Sequence, residues 1–436
     1  MCHRFLPVWS VSLGCPKNRV DTERLLGSLG FPIKIAAAPG KSKLALINTC
    51  AFIEPAVRES IRAILDIIKK SSRLKTPPLI AVAGCLPGRY GTAELAKEFP
   101  EVDLWLEPSF QPEWPAKIAE AMKRERKPGE GRLLSTGPSY AWLKISDGCD
   151  HRCSFCVIPN IRGGFKPEPV AKIVAEAREL LARGVKELVL VGQDVSAWRG
   201  DSSSPEKNFT DLLKTLARLD GLEWLRMLYL YPAAVTESFI RAVADIGRPL
   251  LPYFDIPLQH SQEKILKRMG RPFVVDARRI VGRIREKIPD VALRTSLIVG
   301  FPGETDADFR ALLNFVRETR FQNLGVFVYR PEEGTPAANF PDQVPEETKE
   351  TRKAELLEEQ AKISAEYLAS VVGGTMDALV DESDAGEWPG LYKGRVWFQA
   401  PEIDGITYIS GPGVKAGAFL PAEIVGSVTY DLNALA

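Results

Sequence analysis

Three cysteines, Cys149, Cys153 and Cys156, stand within eight residues just after an apolar run, Ala141 to Ile145, that reads as a short strand. A loop with this C-x3-C-x2-C spacing can wrap one metal centre. A four-iron four-sulfur cube has four iron corners, each wanting a thiolate, so three clustered cysteines leave one iron without a protein ligand. An open corner implies chemistry. Zinc is the rival occupant, although structural zinc sites usually close with four nitrogen or sulfur ligands, and the nearest extra donor, His151, lies inside the loop.

A second set of cysteines is spread over the N-terminal quarter. The apolar runs from Val8, Leu44 and Leu79 end in Cys15, Cys50 and Cys85 respectively, and helix-like segments, Asp21 to Leu29 and Pro55 to Lys70, lie between them. Alternating strands and helices predict a parallel sheet, and ligands of such sheets gather at the carboxyl ends of the strands. A lone free cysteine is usually a small buried hydrophobe. The same placement three times over predicts convergence on one edge and a second three-thiolate cluster, again with an open iron. Gly14 and Gly84 allow close backbone approach at two of these turns.

At these residues the chain resembles the radical S-adenosylmethionine (SAM) methylthiotransferases. The Cys149 to Cys156 loop matches the motif that binds the SAM-cleaving cluster, and Ile158-Pro159-Asn160-Ile161-Arg162-Gly163 narrows the match to that family. Gly14-Cys15-Pro16-Lys17-Asn18, Asn48-Thr49-Cys50 and Gly84-Cys85-Leu86-Pro87-Gly88-Arg89-Tyr90 look like the three cluster motifs of its N-terminal domain, in the form carried by the branch that modifies a ribosomal protein. The resemblance implies two four-iron four-sulfur clusters and SAM as cofactors. It implies transfer of a methylthio group to the β-carbon of an aspartate in small-subunit ribosomal protein twelve, one SAM supplying the methyl group and another a 5′-deoxyadenosyl radical. It also implies an electron donor of the flavodoxin or ferredoxin type. Two alternatives remain open on the sequence: an adenosine methylthiotransferase acting on tRNA, and a non-catalytic iron–sulfur scaffold or RNA-binding adaptor.

These motifs must be positioned by larger elements. Residues 6–110 form the predicted N-terminal α/β domain, and 111–137 a connector with a helix over Pro112 to Lys127 and a basic, solvated loop from Lys123 to Arg132. From 138 to 372, six strand-like runs (142–146, 187–191, 225–231, 253–258, 293–299 and 324–329) alternate with helical patterns, predicting an open, partial (β/α)6 barrel. Barrel enzymes work at the carboxyl ends of their strands, where the cluster loop leaves the first. Gln193 and Asp194 after the second strand, Gln259 and His260 after the fourth, and Gly300 and Gly303 after the fifth are therefore the predicted SAM contacts. Turn, core and plain loop roles are the alternatives for each. By resemblance, Gln193 and Asp194 lie near the methionine part of SAM, and Gln259-His260-Ser261 leans toward the ribosomal-protein branch. The chain departs from the family at Lys166-Pro167-Glu168-Pro169, where an arginine is usual, and at Trp198-Arg199-Gly200.

Short β-like runs after Gly373-Gly374 predict a small antiparallel barrel over 373–436, and the segment Ala400 to Gly405 resembles the TRAM domain. This module holds nine acidic against three basic residues, a net charge of −6. Such a surface repels phosphate backbones and attracts a basic protein. The whole chain carries a net charge of only +1 and 45% apolar residues over 436 positions, enough for two or three globular domains. No run reaches the ~20 apolar residues of a membrane span, and the start lacks the apolar core of a signal peptide, so a cytoplasmic enzyme with no membrane partner is expected. Cys2 fits no motif and reads as an exposed thiol.

Overall fold

The computed structural model describes residues 5–129, 131–200, 204–271, 277–383 and 388–436; Cys2 lies outside the described residues. The N-terminal domain is a five-stranded sheet built from β1 (Leu6–Ser12), β2 (Ile33–Ile35), β3 (Leu44–Thr49), β4 (Leu79–Gly84) and β5 (Leu104–Leu106) in the order β2-β1-β3-β4-β5. All its pairings are parallel. β3 is buried along its entire length, which is why it reads as an unbroken apolar run instead of an alternating one.

The first helix runs Pro16–Gly27, not from Asp21 as the pattern suggested. Proline at its first turn presets the helical φ, but the helix buries Lys17, Asn18, Asp21, Thr22 and Glu23. An inward face made of polar residues leaves no apolar periodicity to read. The connector also differs from expectation: its helix is only Trp114–Ala121. Its basic end is not solvated throughout, because Arg132 is buried and paired with Glu23 at 2.6 Å and Glu176 at 2.9 Å.

The central sheet has six strands, β6 (Tyr140–Lys144), β9 (Glu187–Val191), β10 (Trp224–Met227), β11 (Leu250–Asp255), β12 (Ala292–Val299) and β13 (Asn323–Val328), side by side in chain order. Each pairing is parallel, as βα repeats require. A two-residue hairpin, β7 (Ser146–Asp147) with β8 (Lys166–Pro167), clamps the base of the cysteine loop. Successive strand residues point to opposite faces. Ala141, Leu143, Leu188, Leu190, Leu225 and Leu293 pack with the surrounding helices. Their neighbours Trp142, Val189, Val191, Trp224, Leu251 and Tyr253 share a core with the C-terminal domain. The face that the helices leave open is thus covered by that domain.

The C-terminal domain is a closed barrel of β14 (Thr375–Ser383), β15 (Leu391–Val396), β16 (Thr407–Ser410), β17 (Phe419–Ser427) and β18 (Leu432–Leu435), ordered β14-β15-β16-β18-β17. Its pairings are antiparallel except β16 with β18, which is parallel. Among the described residues no helix is long and apolar enough to cross a membrane.

Candidate active site

The loop after β6 is pinned on several sides. Cys149 N donates to Gly163 O at 3.1 Å, Cys156 N to Cys153 O at 3.1 Å, and Ser154 N to Met269 O at 3.0 Å. Ser154 Oγ adds a bond to Arg268 O at 2.7 Å. The three thiols are mutual neighbours in a desolvated pocket: burial pushes Cys149 up to about 11 and Cys156 up to about 12, with the other cysteines of the loop adding to the effect.

The other trio converges at the carboxyl edge of the N-terminal sheet. Gly14 has φ +83°, and a Cβ there would fall 2.5 Å from Cys50 Cβ and 2.7 Å from its sulfur, so only glycine fits beside that thiol. Gly84, with φ +96°, has Asn48 Oδ1 only 2.1 Å from where its Cβ would sit. Asn18 ties the three turns together. Its amide donates to Leu13 O at 2.9 Å and Thr49 O at 2.8 Å, and its Oδ1 lies 3.8 Å from Cys85 Sγ. Burial pushes Cys50 up to about 12, reinforced by Cys85 and Cys15. Burial also raises Cys85, against the opposing pull of Arg162.

Thiols this reluctant to ionise alone become thiolates once a cationic metal centre is beside them. Two sets of three soft donors suit iron–sulfur clusters. Among the described residues, no group of three or more His, Cys, Asp or Glu side chains is placed to hold a single metal ion; a cube, by contrast, offers each thiolate its own iron.

Between the trios lies a buried ionic network. Arg162, from the short helix after the cysteine loop, donates Nη1 to Asp21 and Asp147 at 3.0 Å and Nη2 to Asn18 Oδ1 at 2.5 Å. The same Nη2 lies 3.8 Å from Cys85 Sγ. Lys144 pairs with Asp21, and with Asp147 at 3.0 Å. Burial alone would raise the Asp147 carboxyl, but Lys144 and Arg162 hold it far below the usual carboxylate range. Asp147 Oδ1 accepts from Gln193 Nε2 at 3.3 Å, so the network runs from a predicted SAM contact to the N-terminal cysteines. None of Arg162, Asp147, Lys144 and Asp21 was singled out as a site residue from the sequence. The available signal was position, since Arg162 lies in the quoted 158–163 motif and Asp147 two residues before Cys149.

The other predicted site residues fare differently. Gln193 Oε1 is buried without a hydrogen-bond partner, an acceptor waiting for a donor. Asp194 caps its own turn through Ser196 N at 2.9 Å and reaches into the cysteine loop through His151 Nε2 at 2.8 Å. His151 in turn stacks on Tyr231, with 3.8 Å between centroids. Gln259 holds φ +71°, a conformation that non-glycine residues keep mainly where surrounding structure demands it. His260 is wholly buried; its Nδ1 accepts from Gln262 N at 2.9 Å and its Nε2 faces Glu304 at 3.5 Å. The space above Gly300 is taken by Lys349 and that above Gly303 by Arg268, and neither glycine adjoins open space. The two departures from the family pattern meet each other, Trp198 Nε1 donating to Glu168 O at 3.0 Å. A cleft of about 720 Å³ lies elsewhere, where Leu251, Tyr367, Met376 and Trp397 line the junction with the C-terminal domain, and holds none of the predicted site residues.

Three of the acidic C-terminal residues are engaged inside the molecule. Asp404 accepts from Arg294 at 2.9 Å and Tyr253 at 2.6 Å, Asp381 from Arg395 at 2.7 Å, and Glu402 pairs with Arg19 and accepts from Tyr140 at 2.5 Å. Part of the negative charge that suggested a basic partner is therefore met by Arg294 and Arg19 of the chain itself.

An open parallel six-stranded barrel, with three cysteines on the loop after its first strand, defines a radical SAM enzyme. The family model described as the Radical SAM superfamily matches residues 143–316. The uncharacterized protein family UPF0004 matches 8–107 and the TRAM domain 372–436. The solved structure of the radical SAM methyltransferase TsrM from Kitasatospora setae has a similar fold, with TM-score 0.55 and 14% identity over 89% of this chain and 77% of that one. Curated relatives are much nearer. A protein of Nitratidesulfovibrio vulgaris named ribosomal protein uS12 methylthiotransferase RimO is 57% identical over 99% of this chain and 100% of its own length. Relatives of the same name from Oleidesulfovibrio alaskensis and Lawsonia intracellularis are 54% and 49% identical, over 99% and 98% of this chain and 100% and 97% of theirs. The chain belongs to the RimO family of radical SAM methylthiotransferases.

Proposed function

We propose that this enzyme adds a methylthio group to the β-carbon of an aspartate in ribosomal protein uS12, using two four-iron four-sulfur clusters. What carries the reading is the buried network through which Arg162 joins Cys85 of the N-terminal trio to Asp147 and Gln193 beside the other. When bound, the clusters and SAM supply one-electron cleavage of a carbon–sulfur bond and a sulfur atom for insertion, which an unactivated C–H bond requires. Cys149, Cys153 and Cys156 hold the SAM-cleaving cluster; Cys15, Cys50 and Cys85 hold the second. Gln193 offers its unpartnered Oε1 to the amino group of SAM, with Asp194 beside it after β9 and Gln259 after β11 as further contacts. His260, Gly300 and Gly303 are further candidate contacts after β11 and β12, packed beside Glu304, Lys349 and Arg268. All six described cysteines belong to the two trios, so electrons come from an external flavodoxin or ferredoxin type donor.

The test is anaerobic incubation of the reconstituted, reduced protein with SAM, sulfide and a mixture of uS12 and tRNA, read by mass spectrometry. A methylthio increment on an aspartate peptide is expected. An increment on adenosine would overturn the substrate assignment while leaving the two-cluster arrangement standing.

A further inference from the structure

Lys17 is buried, with only 9% of its surface accessible. Its ammonium makes one long hydrogen bond, to Gly192 O at 3.4 Å, and sits 3.8 Å from the centroid of the Tyr229 ring. Among the described residues no carboxylate is within ion-pair distance of it. The buried Asp255 on β11 is already engaged by Tyr229 N at 2.9 Å and by Arg294 at 3.6 Å. A buried ammonium without a counter-charge is costly. The position compounds the cost, because Lys17 occupies the first turn of the helix Pro16–Gly27, the end where the backbone already presents positive potential. The Gly192 carbonyl and the Tyr229 ring face favour the ammonium, but neither carries a full negative charge, which points to an anion that the folded protein receives here.

The place of this charge narrows the anion. Lys17 is two residues from Cys15, while Gly192 directly precedes Gln193 at the end of β9. The ammonium therefore bridges the N-terminal cysteine trio and the barrel's SAM wall. Resting on the function proposed above, we infer that Lys17 receives the side-chain carboxylate of the aspartate substrate. In aspartate the reacting β-carbon is bonded directly to the carboxylate carbon, so holding the carboxylate fixes the reaction centre within two bonds of the contact. The charge-assisted bond is strong in a site shielded from water. A nucleobase offers no such anion next to its reacting carbon.

The probes are two synthetic peptides covering the modified loop of uS12, one with the target aspartate and one with asparagine in its place. Their binding to the cluster-loaded protein is read by fluorescence anisotropy, with iron content as the loading control. The wild type is expected to favour the aspartate peptide by about tenfold or more, Lys17→Met to bind both equally, and Lys17→Arg to recover part of the preference. Should Lys17→Met not retain iron, Lys17→Gln is read against the same criterion, and the Asp/Asn preference of the wild type stands as its own test. An unchanged preference in the neutral variants, or none in the wild type, overturns the inference. So does loss of peptide-independent SAM cleavage in Lys17→Met, which assigns the ammonium to the carboxylate of SAM. If the wild type modifies no aspartate of uS12 at all, it is the proposed function that falls.

Discussion

Nη2 of Arg162 lies 3.8 Å from Sγ of Cys85, although the two residues stand 77 positions apart in different domains. The guanidinium also meets Asp21, Asp147 and Asn18, so one side chain fastens the N-terminal domain to the barrel where both cysteine trios are. Removing it leaves Asp21 and Asp147 to share Lys144. Breaking a buried pair strands a charge at about 3–5 kcal/mol. Arg162→Met is expected to lose a stability of that order in urea unfolding of the metal-free protein; a loss below about 1 kcal/mol would show the network to be slack.

The two cysteine sets are expected to divide the work. Cys153→Ala should abolish reductive SAM cleavage, whereas Cys50→Ala should spare cleavage and abolish sulfur insertion. Product analysis for 5′-deoxyadenosine and for methylthiolated peptide separates the two. Equal loss of cleavage in both variants would contradict the division.

Removing the iron exposes the electrostatics of the empty thiols. Burial holds Cys50 and Cys156 up at about 12, against about 8.5 for a free thiol. At pH 8 the thiolate fraction of each is on the order of one in ten thousand, compared with about a quarter for an unperturbed cysteine. Alkylation of the folded apoprotein by iodoacetamide should therefore be slower by roughly three orders of magnitude than after unfolding, as quantified by peptide mapping. The sign for stability follows. The raised values favour the fold below the unfolded thiol's range, and this contribution is lost as pH climbs toward about 12. Equal alkylation rates in folded and unfolded apoprotein would refute this picture.

Asp404 fastens the C-terminal barrel to the open face of the central sheet through Arg294 at 2.9 Å and Tyr253 at 2.6 Å. Asp404→Ala leaves the Arg294 guanidinium buried with only Asp255, at 3.6 Å. A cost of about 3 kcal/mol is expected, expressed as release of the C-terminal domain. Limited proteolysis near Gly373-Gly374 should accelerate in the variant and leave the N-terminal domain intact. An unchanged digestion pattern would mean that the shared apolar core alone suffices.

Much of the architecture was legible in the chain because local pattern dictates it. Apolar runs of strand length ended in Cys15, Cys50 and Cys85, and six βα repeats followed. What escaped were elements whose inner face is polar. The helix Pro16–Gly27 buries five polar residues among its first eight, so its start could not be seen by hydrophobic periodicity. The basic connector looked like a solvated loop, yet Arg132 is held by Glu23 and Glu176.

By itself the sequence determined the two cysteine triplets, the strand ends that carry them and the order of the three domains, since spacing and periodicity are properties of neighbouring residues. Only the tertiary structure decided that Arg162 touches Cys85, that Lys17 lies beneath Gly192 beside the Tyr229 ring, and that acidic residues of the C-terminal module meet arginines elsewhere in the chain. Those pairings join residues as far as 383 positions apart, Arg19 to Glu402 being the longest. Charges so distant choose partners only when packing has brought them together and excluded water, and no local pattern records that choice.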